Sequence, residues 1–279
     1  MSSKITQKTL TDLEFFTIID RIGSFCLTDL GRSSVKKIKP ITAKLSLVEE
    51  LHRVNEYLAS FENENKIPNH HFDEINNEIH LLGIENSFLE IDSFLRIAAL
   101  HDTTEIQVKF FKKFKSYYPN LYALISELTL DKELSKQIKR VINPHGEIDN
   151  KASEVLKRIR QEISRIQAKI SSSFSSALSR YSSAGYLDDI RESVVENQRV
   201  LAVQAMYRRK VKGSIVGSSK TGSIAYIVPE ATSNLNRELQ DLFYEEQEEI
   251  VRILKELTNG IRPLSPLLLS CQTALTQLD

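Results

Sequence analysis

KGSIVGSSKTGSIAYIVPEA, Lys212 to Ala231, holds Gly213, Gly217 and Gly222 around the quartet Ser218–Thr221. Two readings compete for it: a phosphate-binding loop, or the turn of a small sheet. A phosphate loop is written G-x-x-x-x-G-K-[ST], with glycines that let backbone N–H groups close round the phosphates. Aligned on Lys220-Thr221, those glycines fall at Ser214 and Ser219 and are missing. Such a loop must also open a helix. Here Gly222 is followed by Ser-Ile-Ala-Tyr-Ile-Val, a β-branched and aromatic run that stops at Pro229 and reads as a strand. The stretch is strand–turn–strand.

Upstream, ESVVENQRVLAVQ alternates apolar and polar residues about Glu196-Asn197-Gln198, a hairpin signal. The two hairpins predict a small four-stranded sheet within residues 186–230. Long helical stripes flank it. Leu156, Ile159, Ile163, Ile166, Ile170, Phe174 and Leu178 step by three or four through a stretch free of Gly and Pro. That is close to a heptad seam, and a helix of roughly 29 residues would be about 43 Å long. Leu235, Leu239, Leu242, Ile250, Ile253, Leu257 and Ile261 form the returning stripe, closed by Gly260 and Pro263. Two such stripes joined by a short insert predict an antiparallel arm.

Ahead of residue 148 the chain reads as a compact helical bundle. Helical periodicity covers residues 10–39, 45–61, 87–117 and 120–142, with Asn63 to His71 a polar loop. The fold class expected is therefore mainly α: a helical bundle plus a long antiparallel two-helix arm with a small antiparallel β clamp at its tip. The divisions are 1–148 for the bundle, 149–185 for the ascending helix, 186–230 for the β insert and 231–279 for the descending helix and the return to the core.

Composition narrows the function. Lys and Arg number 37, Asp and Glu 37, so no global field draws the chain to nucleic acid and any such binding needs a local patch. One exists. From Asn197 to Pro229 there is no acidic residue, while Arg199, Arg208, Arg209, Lys210, Lys212 and Lys220 lie there with Tyr207 beside them. Phosphate backbones bind such surfaces by counterion release. Behind the tip, Glu245, Glu246, Glu248 and Glu249 would repel them. The bland alternative is a solvated sheet edge.

Other candidates are weaker. His70, His71 and His80 read as surface histidines rather than metal ligands. Asp188-Asp189 reads as a helix-ending turn rather than an acid/base pair, and Cys26 as core. The serine run Ser171–Ser176 is either a hinge or plain exposed helix. Two cysteines without metal or redox spacing suit a reducing, cytoplasmic setting, and no apolar run approaches a membrane span.

Four stretches carry a resemblance. They are DLEFFTIIDRIGSFCLTDLGRSSVKKIKP, INPHGEIDNKASEVLKRIRQEI, RESVVENQRVLAVQAMYRRKVKG and SSKTGSIAYIVPEATSNLNREL. In this order they resemble the lever and clamp region of the bacterial MutS family, in the branch that carries a C-terminal Smr nuclease domain rather than the mismatch-repair branch. Gln198 stands where that hairpin usually has Gly, Arg209 where the tip often has Gly, and Val228 where Glu precedes the proline.

The resemblance implies a nucleic-acid-gripping module in suppression of recombination and DNA repair. Its partners would be branched or duplex DNA, or ribosomal RNA if it acts on stalled ribosomes. A protein-interaction arm is the third class. ATP and magnesium would belong to an ATPase domain outside these residues, as would the homodimer contact and the nuclease. No cofactor, metal or catalytic residue is expected within them.

Overall fold

The computed structural model describes residues 5–62 and 64–279; Met1–Lys4 of the expected bundle and Asn63 of the expected loop lie outside the described residues. It divides into two compact units, 1–149 with 254–279, and 150–253.

The first unit is helical: α1 (Gln7–Asp12), α2 (Phe15–Gly23), α3 (Asp29–Val35), α4 (Lys44–Glu62), α5 (Asn76–Leu82), α6 (Ile91–Lys113), α7 (Pro119–Ile125) and α8 (Leu134–Val141). Its core gathers on α6, where Phe94, Ile97, Leu100 and Phe111 are fully buried. The returning chain completes it. α11 (Ser265–Leu278) buries Leu268, Cys271, Ala274, Leu275 and Leu278. Its Gln272 Oε1 accepts from Ile75 N at 2.7 Å, and Gln272 Nε2 donates to Asn76 Oδ1 at 2.7 Å. Orphan backbone groups find side chains in the same way. Glu56 accepts from Asn120 N at 3.0 Å and Leu121 N at 2.9 Å, capping the start of α7. Asp279 accepts from Leu27 N at 2.7 Å, Thr28 N at 3.1 Å and Thr28 Oγ1 at 2.6 Å.

Two expectations for this unit are corrected. His70 is buried, with Nε2 3.6 Å from Asp279 Oδ1, whereas His71 and His80 are at the surface. The polar residues around His70 mask a segment that packs inward. The stripe Leu47, Leu51, Val54 and Leu58 is helical but each member is more than two-fifths exposed. Periodicity says which side of a helix is apolar, not that a neighbour covers it. The open side borders a groove of about 520 Å³ lined by Ile22, Val35, Val54, Leu58, Leu121 and Leu278.

The second unit contains α9 (Glu154–Ser183), a four-stranded sheet, and α10 (Glu230–Ile261) as far as Ile253. Ser153 caps α9, accepting from Val155 N and Leu156 N. The two long helices run antiparallel. Ser153 donates to Glu249 Oε1 at 2.5 Å, and Arg160 Nε to Glu246 Oε1 at 2.6 Å, so partners on α10 run backward as α9 advances.

α9 ends at Ser183, and Gly185 (φ 70°) turns the chain into β1 (Leu187–Val195). Asp188-Asp189 therefore belongs to a strand, not to a helix-ending turn. Beyond β2 (Gln198–Gln204), β3 (Gly213–Ser218) and β4 (Ile224–Pro229) follow, all antiparallel in the order β1-β2-β4-β3. Among the described residues these are the only strands, apart from a single bridge between Ile142 and Ile148. Glu196 and Asn197, both at positive φ, make the two-residue turn between β1 and β2. Gln198 already pairs with Val195 and needs no glycine there.

The central strands bury both faces. Val200, Leu201, Ala202 and Val203 are all fully buried, so β2 does not alternate beyond its first residues. The last turns of α9 cover one face: Phe174 and Tyr181 pack with Leu201, Val203, Ala225 and Ile227. Both edge strands have a register shift, β1 between Leu187 and Glu192 and β3 between Ile215 and Gly217. Gly213 begins β3 so close to β4 that a Cβ would lie 2.1 Å from the Val228 carbonyl oxygen.

Two outcomes follow from this packing. Gly213→Ala should lower the unfolding free energy by more than about 1 kcal/mol, since backbone rather than a flexible side chain blocks the methyl; chemical denaturation checks it. Burial also holds the His70 and His101 imidazoles below their ordinary pKa. The unfolded chain therefore takes up those protons first as pH falls through about 6.5. The thermal midpoint should fall between about pH 7.5 and about pH 5.5 as these two groups charge; a flat profile would contradict this.

Candidate nucleic-acid interface

The connection from β2 to β3 carries most of the basic residues. β2 ends at Gln204, a 3-10 turn spans Ala205–Tyr207, and Arg208, Arg209 and Lys210 follow, all exposed. Aromatic packing fixes this connection. The Tyr207 ring stacks on Tyr186 at 4.9 Å, and Tyr186 on Tyr181 at 6.4 Å. Lys210 Nζ lies 5.6 Å from the centroids of both Tyr186 and Tyr207, within cation–π range. Val211 is buried beneath. Lys212 is pinned by its backbone: its N–H donates to Tyr181 Oη at 3.2 Å and its carbonyl accepts from Glu230 N at 3.1 Å.

Lys220 lies in the turn between β3 and β4. That turn meets the start of the same connection, where Ala205 N donates to Ser223 O at 2.8 Å. Arg208, Arg209, Lys210 and Lys212 thus form one group, with the Lys220 turn beside it. Arg208, Arg209, Lys212, Ser214 and Ser233 line a recess of about 510 Å³, with Glu230 at its wall. Among the described residues none of these five cations has a carboxylate within ion-pairing distance.

Arg199 does not join them. It opens β2 at the far end of the strand, about 17 Å from Gln204 along the chain. Its guanidinium donates to Glu192 Oε2 at 2.6 Å and lies 4.3 Å from the Phe174 centroid. The acid-free stretch begins after Glu196 in sequence, but cross-strand pairing brings the more distant Glu192 carboxylate back to Arg199. Glu230, one residue past the stretch, enters in the same way.

Sequence reasoning missed Arg180. It lines a second recess, of about 350 Å³, with Ser172, Ser173, Ser176 and Lys212. The serine run is continuous helix, and Ser176 Oγ donates to Ser172 O at 3.0 Å. Only the one-residue offset of Arg180 from the apolar seam could have pointed to it.

The acidic stretch of α10 is partly neutralised. Glu246 pairs with Arg160, and Glu249 with Arg252, whose hydrogen bond holds that carboxyl below its ordinary range. A hydrogen bond to Glu248 raises the Tyr244 pKa. Among the described residues no group of three or more His, Cys, Asp or Glu side chains could hold a metal ion, and no helix is long and apolar enough to cross a membrane.

No family model matches the chain. Over nearly its whole length it is similar to curated proteins named Endonuclease MutS2. The Clostridium beijerinckii protein is 27% identical over 281 residues, covering 99% of this chain and 35% of that protein. The Carboxydothermus hydrogenoformans protein is 29% identical over 259 residues (92% and 33%), and the Aquifex aeolicus protein 24% over 280 residues (98% and 35%).

The chain is similar to MutS2 proteins over nearly its whole length.

It spans about a third of the length of the MutS2 proteins it matches. The likeness runs through the helical first unit as well as the sheet, so it does not rest on the basic connection alone.

Arg199 should therefore behave as a structural residue of the tip. Arg199→Ala should cost about 1 kcal/mol in stability through the lost stack on Phe174 and the lost ion pair. The salt dependence of any polyanion binding should stay unchanged, as heparin-column elution and denaturation of the same variant would show.

Proposed function

We propose that the second unit is a nucleic-acid-gripping clamp, and that the chain is the lever and clamp part of a MutS2-type protein. The observation that carries this is the group Arg208, Arg209, Lys210 and Lys212: four exposed cations without a carboxylate partner on one aromatically fixed connection. In this reading residues 149–185 and the descending helix of 231–279 form the lever, 186–230 the clamp, and 1–148 a bundle to which the chain returns after that helix. The clamp holds phosphates and reads no bases through these contacts. Such a grip suits branched or duplex DNA in the control of recombination, and equally RNA on a stalled ribosome, since both present the same phosphates. The endonuclease activity in the relatives' name, an ATPase with magnesium, and the homodimer contact are assigned to parts of a MutS2-length chain outside these residues. The two cysteines, both free and buried, fit a cytoplasmic protein.

The test is the salt dependence of binding to matched DNA duplexes, DNA junctions and RNA duplexes. With Arg199 set aside, five cations should give a log–log slope of about −4 to −5. Changing Arg208, Arg209 and Lys210 together to Ala should make the slope shallower by about 2 to 3, with little change in sequence preference. An unchanged slope would make the patch a solvated surface.

A further inference from the structure

Met206 has no part in a phosphate grip, yet it stands in the middle of one. It is 75% exposed, although its backbone is among the most constrained at the tip. Ala205 N donates to Ser223 O at 2.8 Å on one side, and Lys210 N to Tyr207 O at 2.8 Å on the other. The next residue, Tyr207, is locked in its stack on Tyr186. Tyr207 and Val211 pack against the core under the connection, leaving Met206 outside it. A long, unbranched apolar side chain is thus presented to water immediately before Arg208, Arg209 and Lys210.

A lone exposed apolar residue is ordinary on a protein surface. This one differs in its neighbours. Phosphates drawn to three adjacent cations bring a stack of bases within reach of the same turn. Methionine has three rotatable bonds and a polarisable sulfur that packs well on aromatic faces, and each base offers such a face. The rigid turn beneath it means that little backbone freedom is lost when the side chain is used.

We propose that Met206 is an apolar wedge that enters the base stack of the gripped nucleic acid. The ligand class is a duplex with a step that opens readily, such as a nick or a pyrimidine–purine step, in preference to a continuous stiff A-tract. This rests on the phosphate-gripping reading above. Apolar wedges unstack a step and gain closer contact in return, so they favour steps already weakly stacked. The cations then set how tightly nucleic acid is held, and Met206 sets which site along it is held.

The experiment uses the full 279-residue chain with two probes: a short DNA duplex with 2-aminopurine beside a central nick, and a continuous A-tract duplex with the same label. Wild type should bind the nicked duplex on the order of tenfold tighter and raise the 2-aminopurine fluorescence as the base unstacks. Met206→Gln should bind both duplexes alike, with no fluorescence rise and an unchanged salt slope. Met206→Leu should retain both effects of wild type. Equal binding of the two duplexes by wild type, with the full salt slope, would overturn the wedge and leave the grip intact. Met206→Gln that discriminates as wild type does would also overturn it. Absence of salt-dependent binding by wild type to either probe would remove the grip itself, and with it the wedge. In that case a protein partner for the exposed apolar tip becomes the better reading.

Discussion

β2 and β4 are each buried along both faces, and their antiparallel pairing, from Leu201 with Ile227 to Gln204 with Ile224, fixes where every other part of the tip lies. Because β4 separates β2 from β3, the chain cannot turn directly from one to the other. It must cross, and residues 205–212 are that crossing. The crossing packs under its aromatic residues on the face that α9 also covers, so its charged residues are left facing water. The display of Arg208, Arg209 and Lys210 is a by-product of strand order. The close approach at Gly213 and the bond from Glu230 N to Lys212 O then return the chain to α10.

Charge is handled differently along the second unit. Toward the start of α9, basic and acidic side chains meet in short contacts, Arg160 with Glu246 and Arg252 with Glu249, which cancel at close range. At the tip the cations have no such partners, so their field extends into solvent over about a Debye length. A chain of zero formal net charge thereby has one locally electropositive end within this unit.

The fold was legible where periodicity and turn chemistry agreed. The stripe from Leu156 to Leu178 gave α9, and the break at Lys220-Thr221-Gly222 gave the second hairpin. What escaped was tertiary. No local pattern says that Leu51 and Val54 lack a covering neighbour, or that His70 is drawn in against Asp279. The candidate site was legible as a run of cations from Arg208 to Lys212. Its limits were not, because the acid-free run lies between Glu196 and Glu230 in sequence, while strand pairing brings Glu192 back to Arg199 and a helix start brings Glu230 to the recess. The tyrosine stack needed Tyr181, Tyr186 and Tyr207 to converge from a helix, a loop and a turn.

The discontinuity of the first unit bears on how the protein is made. Its core takes Leu268, Cys271, Leu275 and Leu278 from a segment synthesised about 120 to 130 residues after Asp149. At ordinary elongation rates that interval is roughly 6 to 26 seconds. During it Phe111 and its neighbours, already synthesised, wait for the helix that brings Ala274 and Leu278 to them, while the intervening residues 150–253 form a compact unit of their own. Nascent chains of this protein should therefore pass through a stage in which the later-made unit is folded and the earlier-made one still engages chaperones.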